Sequence, residues 1–202
     1  MDLRRLASQL LARYSLRDPA PTIETWNTQY STGRWTFVGQ LWELSRFSVL
    51  VGYLRHFARG GAILDVGCGQ GFLPQRLQPD DYKRYVGIDF SDAAIDKAIE
   101  LRLPKATFSA VNAQVHVPAE TFDAIVFTEV LYYLSDPLRT VERYARALNK
   151  DGVLLVSTNT TFRGGLAIHQ ALKRHYPTLD ETWVTHEQKG RSWVCTVLSG
   201  VK

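Results

Sequence analysis

Ala62-Ile63-Leu64-Asp65-Val66-Gly67-Cys68-Gly69-Gln70-Gly71 runs four apolar residues and one acid into three glycines at alternate positions. The apolar half reads as a buried strand, and the glycine half as a tight loop leaving its end. Glycine permits sharp turning and lets a ligand approach the backbone with no Cβ in the way. Ligands of open α/β sheets bind beside such loops, at the carboxyl ends of the strands where the strand order reverses. Two neighbouring residues narrow the choice of ligand. A dinucleotide loop, Gly-x-Gly-x-x-Gly, needs glycine at position 72, and this chain has Phe72 there. Asp65 repels a pyrophosphate but attracts an ammonium or sulfonium group, which favours an aminoacyl-sulfonium ligand over NAD.

Downstream, short apolar runs alternate with helical stretches. Tyr85–Asp89 predicts a second strand, followed by a helix with Ser91 as N-cap and Asp92 in its first turn. Ala106–Val111 and Phe122–Phe127 predict the third and fourth strands, and Val153–Ser157 the fifth. Helices are expected from Phe72, over Pro137–Leu148 and over Leu166–Arg174. Thr182–Glu187 and Ser192–Leu198 read as a hairpin turning at Lys189-Gly190. Strands alternating with helices at this spacing imply an α/β fold, a parallel sheet with helices on both faces, here with a C-terminal antiparallel hairpin on one edge.

Upstream, a helix is expected over Leu3–Tyr14, broken by Asp18-Pro19-Ala20-Pro21, and a second over Phe37–Ala58, stopped by Gly60-Gly61. An aromatic linker with Trp26, Tyr30, Arg34 and Trp35 joins them. Residues 1–60 thus form an N-terminal helical cap or lid, and residues 61–202 the ligand-binding core, within one domain overall. At 202 residues with 45% hydrophobic and 22% charged residues, the chain can bury one substantial core. No run of apolar residues is long enough to span a bilayer. Two cysteines, Cys68 and Cys195, in no metal-ligand spacing imply neither a disulfide framework nor a metal site, and fit a reducing, cytoplasmic setting. Residues 1–60 carry eight arginines against four acids, while residues 61–202 balance 16 bases with 16 acids. The net charge of +4 therefore belongs to the N-terminal segment. A solvated helix face accounts for it, and nucleic acid is not the expected partner.

With these residues in view, Ile63–Gly71 resembles motif I of the class I S-adenosylmethionine (SAM) dependent methyltransferases. Val86-Gly87-Ile88-Asp89-Phe90-Ser91 is similar to the acidic motif on that family's second strand. Phe122–Val126 and Thr128–Leu134 are similar to its fourth strand and following loop, and Asp151–Leu155 to the entry of its fifth. The likeness covers roughly residues 60 to 160 and implies a Rossmann-like, doubly wound, seven-stranded, mostly parallel sheet. It also implies SAM as cofactor, with S-adenosylhomocysteine as product. Asp65, Gly67, Cys68, Gly69 and Gly71 then form the cofactor loop. Asp89 can accept hydrogen bonds from both ribose hydroxyls, and Phe90 packs on the adenine face. Asn112-Ala113 stands where the family often has an acid and a small residue reading the adenine amino group. Asn112 departs from that acid and would act through its carbonyl oxygen. Thr128 and Glu129 stand where the methionine end is met. Trp26, Tyr30, Arg34 and Trp35 either pack against the sheet or form a lid, in which Tyr30 or Arg34 reaches the methionine carboxylate.

Methyl transfer from a sulfonium is an in-line displacement governed by positioning. A general base is needed for a hydroxyl or a protonated amine. Tyr132 and Tyr133, after the fourth strand, are the nearest candidates, and His116, His169 and His186 the remaining ones; Tyr132, Tyr133 and His169 are the expected catalytic set. Thr128-Glu129-Val130-Leu131 lacks the Asn/Asp-Pro-Pro-Tyr/Phe pattern of exocyclic base methylation, and neither cysteine stands in a Pro-Cys pair. Glu129–Leu134 is similar to the same segment of nodulation-type N-methyltransferases. The expectation is a small-molecule N or O acceptor, acted on by a monomer or homodimer with no membrane attachment. The alternatives are an RNA or protein methyltransferase using the basic N-terminal segment, or a non-catalytic nucleotide- or SAM-binding protein.

Overall fold

The computed structural model describes residues 21–162 and 164–200. Seven strands form one sheet: β1 (Gly61–Val66), β2 (Tyr82–Asp89), β3 (Ala106–Ala110), β4 (Phe122–Thr128), β5 (Leu148–Asn159), β6 (Thr178–His186) and β7 (Arg191–Ser199). Their order is β3-β2-β1-β4-β5-β7-β6. β3, β2, β1, β4 and β5 pair in parallel, and β7 runs antiparallel to both β5 and β6. The order turns back at β1, which sits between β2 and β4, so the loop after β1 opens into the crevice of the sheet. β1 is buried at every position and β5 along most of its length, as a central parallel strand covered on both faces must be.

Among the described residues five helices accompany the sheet: α1 (Ile23–Ser31), α2 (Leu41–Phe57), α3 (Asp92–Glu100), α4 (Pro137–Ala145) and α5 (Gly165–His175). On one face Leu64, Val66, Ile125 and Phe127 pack with Val141, Tyr144, Ile168 and Leu172 of α4 and α5. On the other, Ile63, Val126, Leu155 and Val197 pack with Phe47, Leu50, Val51 and Leu54 of α2. Ser91 caps α3 by accepting from Ala94 N, and Asp136 caps α4 by accepting from Arg139 N, each cap being worth about 1 kcal/mol.

The structure departs from the sequence expectations at four places. The helix expected from Phe72 is a single 3-10 turn, Pro74–Arg76, because Pro74 and Pro79 leave too little unbroken chain before β2. The aromatic linker contains a helix, α1, started by Thr22, whose hydroxyl accepts from Thr25 N. The helix expected from Phe37 begins at Leu41, after a 3-10 turn at Thr36–Gly39. A Cβ on Gly39 would lie 2.8 Å from the Phe72 ring, so the chain needs a glycine for that approach. Fourth, α2, expected as part of an N-terminal cap, packs against the sheet as one of its layers. The helix expected over Leu3–Tyr14 lies outside the described residues.

Candidate active site

The glycine loop is locked to the end of β2. The Ile88 carbonyl accepts from Gly67 N at 2.8 Å and from Cys68 N at 3.0 Å. Asp89 completes the lock: its Oδ2 accepts from Gly69 N at 2.9 Å and its Oδ1 from Ser91 N at 3.0 Å. Each carboxylate oxygen keeps further acceptor capacity for a ligand. Burial pushes the Asp89 carboxyl up, against hydrogen bonds from the Ser91, Gly69 and Phe90 amides. Gly67 has φ +78°, and a Cβ there would lie 2.5 Å from Val130 Cγ2. The loop therefore needs glycine for both its backbone and its space.

Asp65 is 1% exposed. The Tyr85 hydroxyl, reaching across from β2, donates to its Oδ2 at 2.6 Å, and Oδ1 is buried with no partner. Burial pushes this carboxyl up to about 7, with Asp89 adding to the shift and the Tyr85 hydrogen bond and Arg46 opposing it. A buried acceptor left unmade costs about 1–3 kcal/mol, so the site is built for a donor that the chain does not supply.

These residues line a cavity of about 440 Å³ at the carboxyl ends of the strands, within the usual range for small-ligand pockets. The same cavity is lined by Cys68, Gly69, Phe90, Asn112, Ala113, Thr128, Glu129, Tyr132 and Tyr133, and by Tyr30 and Arg34 from the lid. Gly71 lies off it, where a Cβ would stand 2.8 Å from Leu101 Cδ1 and 3.5 Å from Ala98 Cβ. Asn112 uses its side-chain oxygen locally, accepting from Gln114 N at 2.9 Å. Arg143 pins the same turn by donating to the Ala113 and His116 carbonyls. The Thr128 hydroxyl, like Asp65 Oδ1, is buried without a partner.

Glu129 holds a left-handed backbone, φ 56°, a conformation that costs a non-glycine residue of order 1–3 kcal/mol. That turn aims its carboxylate into a fixed frame: Oε2 accepts from the Tyr132 hydroxyl at 2.8 Å and Oε1 from Ser157 Oγ at 2.6 Å. Burial raises the Tyr132 hydroxyl well above its usual range, with Glu129 adding to it. Tyr133 is pushed up to about 12, again mainly by burial.

The lid is aromatic. Trp26 meets the edge of Tyr133 at 5.0 Å and 87°, while Trp35 lies 5.6 Å from Trp26 and 5.7 Å from Phe37. Tyr30 Oη lies 3.1 Å from where a Gly69 Cβ would stand. α1 buries no residue completely and is tied down by polar bonds to α3. Asn27 Oδ1 accepts from Ser91 Oγ at 2.6 Å, and Lys97 donates to the Tyr30 carbonyl.

The sequence reading missed the floor. Glu43 and Arg46 line the cavity and are buried as an ion pair, with Arg46 Nη2 2.7 Å from Glu43 Oε2. Burial raises the Glu43 carboxyl, against the opposing effect of Arg46. Arg46 also feels Glu129, and its Nη1 has no partner. A signal was present: both residues continue the stripe of Phe47, Leu50, Val51 and Leu54 that buries α2. Arg191 and Trp193 of β7 also line the cavity and were likewise missed.

No histidine lines the cavity. His169 is buried beneath α5, with Nε2 3.0 Å from Glu181 and Nδ1 3.3 Å from the Thr196 hydroxyl, because its position on α5 points into the β6–β7 face. His116 packs near Tyr144, and His186 lies edge-on to Trp42. Cys68 and Cys195 are both free and buried.

The arrangement fits the cofactor that the sequence resemblance implies: an unpartnered buried carboxylate for an ammonium, an oriented aspartate for a diol, and side-chain-free loop backbone between them. Comparison with known proteins bears on the same point. A family model described as a methyltransferase domain matches residues 3–193. A probable S-adenosylmethionine-dependent methyltransferase of Mycolicibacterium smegmatis is 31% identical over 114 residues, covering 56% of this chain and 44% of that protein. The mitochondrial arginine-hydroxylase NDUFAF5 of Rattus norvegicus is 29% identical over 92 residues, covering 46% of this chain and 27% of that one. The chain thus spans less than half the length of either curated relative. Among solved structures, the N-methyltransferase NodS of Bradyrhizobium japonicum WM9, in complex with S-adenosyl-L-homocysteine, superposes with a TM-score of 0.72. It covers 97% of this chain and 99% of its own at 21% identity, a likeness of fold.

Proposed function

This chain belongs to the methyltransferase-domain family whose model spans it, and from that premise we propose that it moves a methyl group from S-adenosylmethionine to a nitrogen or oxygen of a small molecule. The observation that carries the reading is the paired acids around the glycine loop. Asp89 is held by Gly69 N–H with acceptor capacity to spare, and Asp65 has a buried unpartnered oxygen in the same cavity. When bound, the cofactor would supply an electrophilic methyl group on a sulfonium, whose thioether is the leaving group.

The chain's own residues do the rest. Asp89 takes the ribose hydroxyls, Asp65 the methionine ammonium, and Phe90 packs on the adenine. Of the two lid residues weighed for the methionine end, Tyr30 has its hydroxyl over the glycine loop. Glu129 stands at the methyl end, oriented by the Tyr132 hydroxyl that donates to it at the end of β4, and its carboxylate receives the proton an acceptor sheds. The aromatic lid excludes water, which strengthens each of these interactions. A homologue named as a hydroxylase makes the methyl transfer itself the point to test.

Calorimetric titration with SAM, S-adenosylhomocysteine and NAD tests the reading. Micromolar binding of the two sulfur ligands is expected, with none of NAD; the reverse result rejects it. Asp89→Ala should lower S-adenosylhomocysteine affinity by about 10- to 100-fold, the worth of one to two charge-assisted hydrogen bonds. Unchanged affinity would show the ribose assignment to be wrong.

A further inference from the structure

α1 and α3 complete one another's open ends. At the start of α3 the hydroxyl of Ser91, a fully buried residue, accepts from Ala94 N at 3.2 Å and donates to Asn27 Oδ1 at 2.6 Å. The same Asn27 oxygen accepts from Ala93 N at 3.4 Å, so α1 supplies an acceptor to an amide that α3 cannot satisfy itself. At its own far end α1 has no basic residue in the last turn, and Lys97 of α3 donates to the Tyr30 carbonyl there. These ties weigh more on α1 than on the other four described α-helices, because it alone completely buries no residue. Ser91 also faces the glycine loop: its amide donates to Asp89 Oδ1 at 3.0 Å, while Asp89 Oδ2 accepts from Gly69 N. Asp89-Phe90-Ser91 thus carries, on three consecutive residues, the carboxylate assigned to the ribose, the ring assigned to the adenine and the anchor of the lid. Asn27 lies off the cavity, yet Trp26 and Tyr30 of the same helix line it.

We propose that Asn27 is a positioning residue for the cofactor: through Ser91 it holds the Asp89 turn and the aromatic lid in one arrangement, so that each is in place when the other is. A ligand that fixes Asp89 then fixes α1 as well, and with it Trp26 and Tyr30. Coupling of this kind is reciprocal. The factor by which the ligand steadies α1 equals the factor by which the tie raises ligand affinity. The inference rests on the cofactor assignment above.

Both contacts use the Asn27 side-chain oxygen as acceptor, so Asn27→Asp keeps them and Asn27→Leu removes them. The test measures S-adenosylhomocysteine binding to the full chain by calorimetry, and its release by stopped-flow tryptophan emission. Asn27→Leu should weaken binding about tenfold at unchanged stoichiometry, with the loss appearing as faster release. Asn27→Asp should bind within about threefold of the unmodified chain, the rescue expected of an acceptor that acts by position. S-adenosylhomocysteine should also slow amide exchange over Ile23–Ser31 in the unmodified chain, and slow it about tenfold less in Asn27→Leu. Undiminished affinity in Asn27→Leu, a loss in Asn27→Asp as large as in Asn27→Leu, release at the unmodified rate, or full protection of α1 in Asn27→Leu overturns the proposal. Failure of S-adenosylhomocysteine to bind the unmodified chain would overturn the cofactor reading beneath it, and the proposal with it, so the two failures are distinct.

Discussion

The cavity has two walls made by different physics. The sheet side is backbone: β1 ends, turns through Gly67, and is clamped to β2 by the Ile88 carbonyl and the Asp89 carboxylate. The helix side is side chain: aromatic rings of residues 26–37 above, and the buried Glu43–Arg46 pair below. Backbone geometry needs specific residues at specific spacings, because only glycine fits a positive φ under Val130 and the two oxygens of Asp89 accept from Gly69 N and Ser91 N at once. Side-chain packing accepts many solutions. The first wall therefore admits few residue choices, and the second admits many.

The largest effect should come from the floor. Glu43→Ala leaves a fully buried guanidinium short of its partner, which typically costs about 3–5 kcal/mol. A large fall in melting temperature by calorimetry is expected, with Glu43→Gln milder. Stability unchanged within about 0.5 kcal/mol would mean that Glu129 alone satisfies Arg46, and the two walls would be less independent than described.

A second effect separates stability from binding on the sheet side. Asp65 titrates at about 7 in the folded chain and near the ordinary carboxylate value, about 4, when unfolded. The folded state thus holds the extra proton between those values. Its contribution to stability is full below about pH 4 and is lost as pH rises through about 7. The ionised form is the one that pairs with an ammonium, so S-adenosylhomocysteine affinity should rise over the pH range in which apo stability falls. Asp65→Asn should flatten both curves. Opposed pH trends in the wild type that persist in this variant would remove Asp65 as their source.

The smallest effect belongs to the lid. Trp26→Ala removes one edge-on contact with Tyr133, and such pairs are worth about 0.5–1.5 kcal/mol beyond area burial. Because α1 completely buries no residue, that loss should fall on ligand affinity, up to about tenfold, and leave the melting temperature in place. A melting temperature lowered as far as in Glu43→Ala would make the lid part of the core, and the division between the walls would fail.

This division also explains what could be read in advance. The succession of strands and helices, the hairpin and the glycine loop follow from local signals: the alternation of runs, Ser91 before α3, and glycines after Val66. Thr22 as a cap and the prolines at 74 and 79 were equally local but were overridden by stronger aromatic and glycine cues nearby. Glu43 and Arg46 were legible only as charges on an apolar stripe, a sign that something must neutralise them but not what. Arg191 carried no local signal, since nothing in Lys189-Gly190-Arg191 tells that the hairpin brings it to the cavity. His169 shows the converse: a residue type suited to catalysis, placed by helix phase against Glu181 and Thr196.

The place of β7 sets the order in which the molecule can be completed. β6 pairs with no strand but β7, and β7 enters between β6 and β5. β6 therefore has no ladder to join until the chain has passed Gly190 and returned, and only then does Trp193 meet Trp42 from the other end of the sequence. Joining β7 to β5 and to α2 closes a much longer loop than the β6–β7 hairpin does, so this edge of the sheet carries the larger entropic cost of closure.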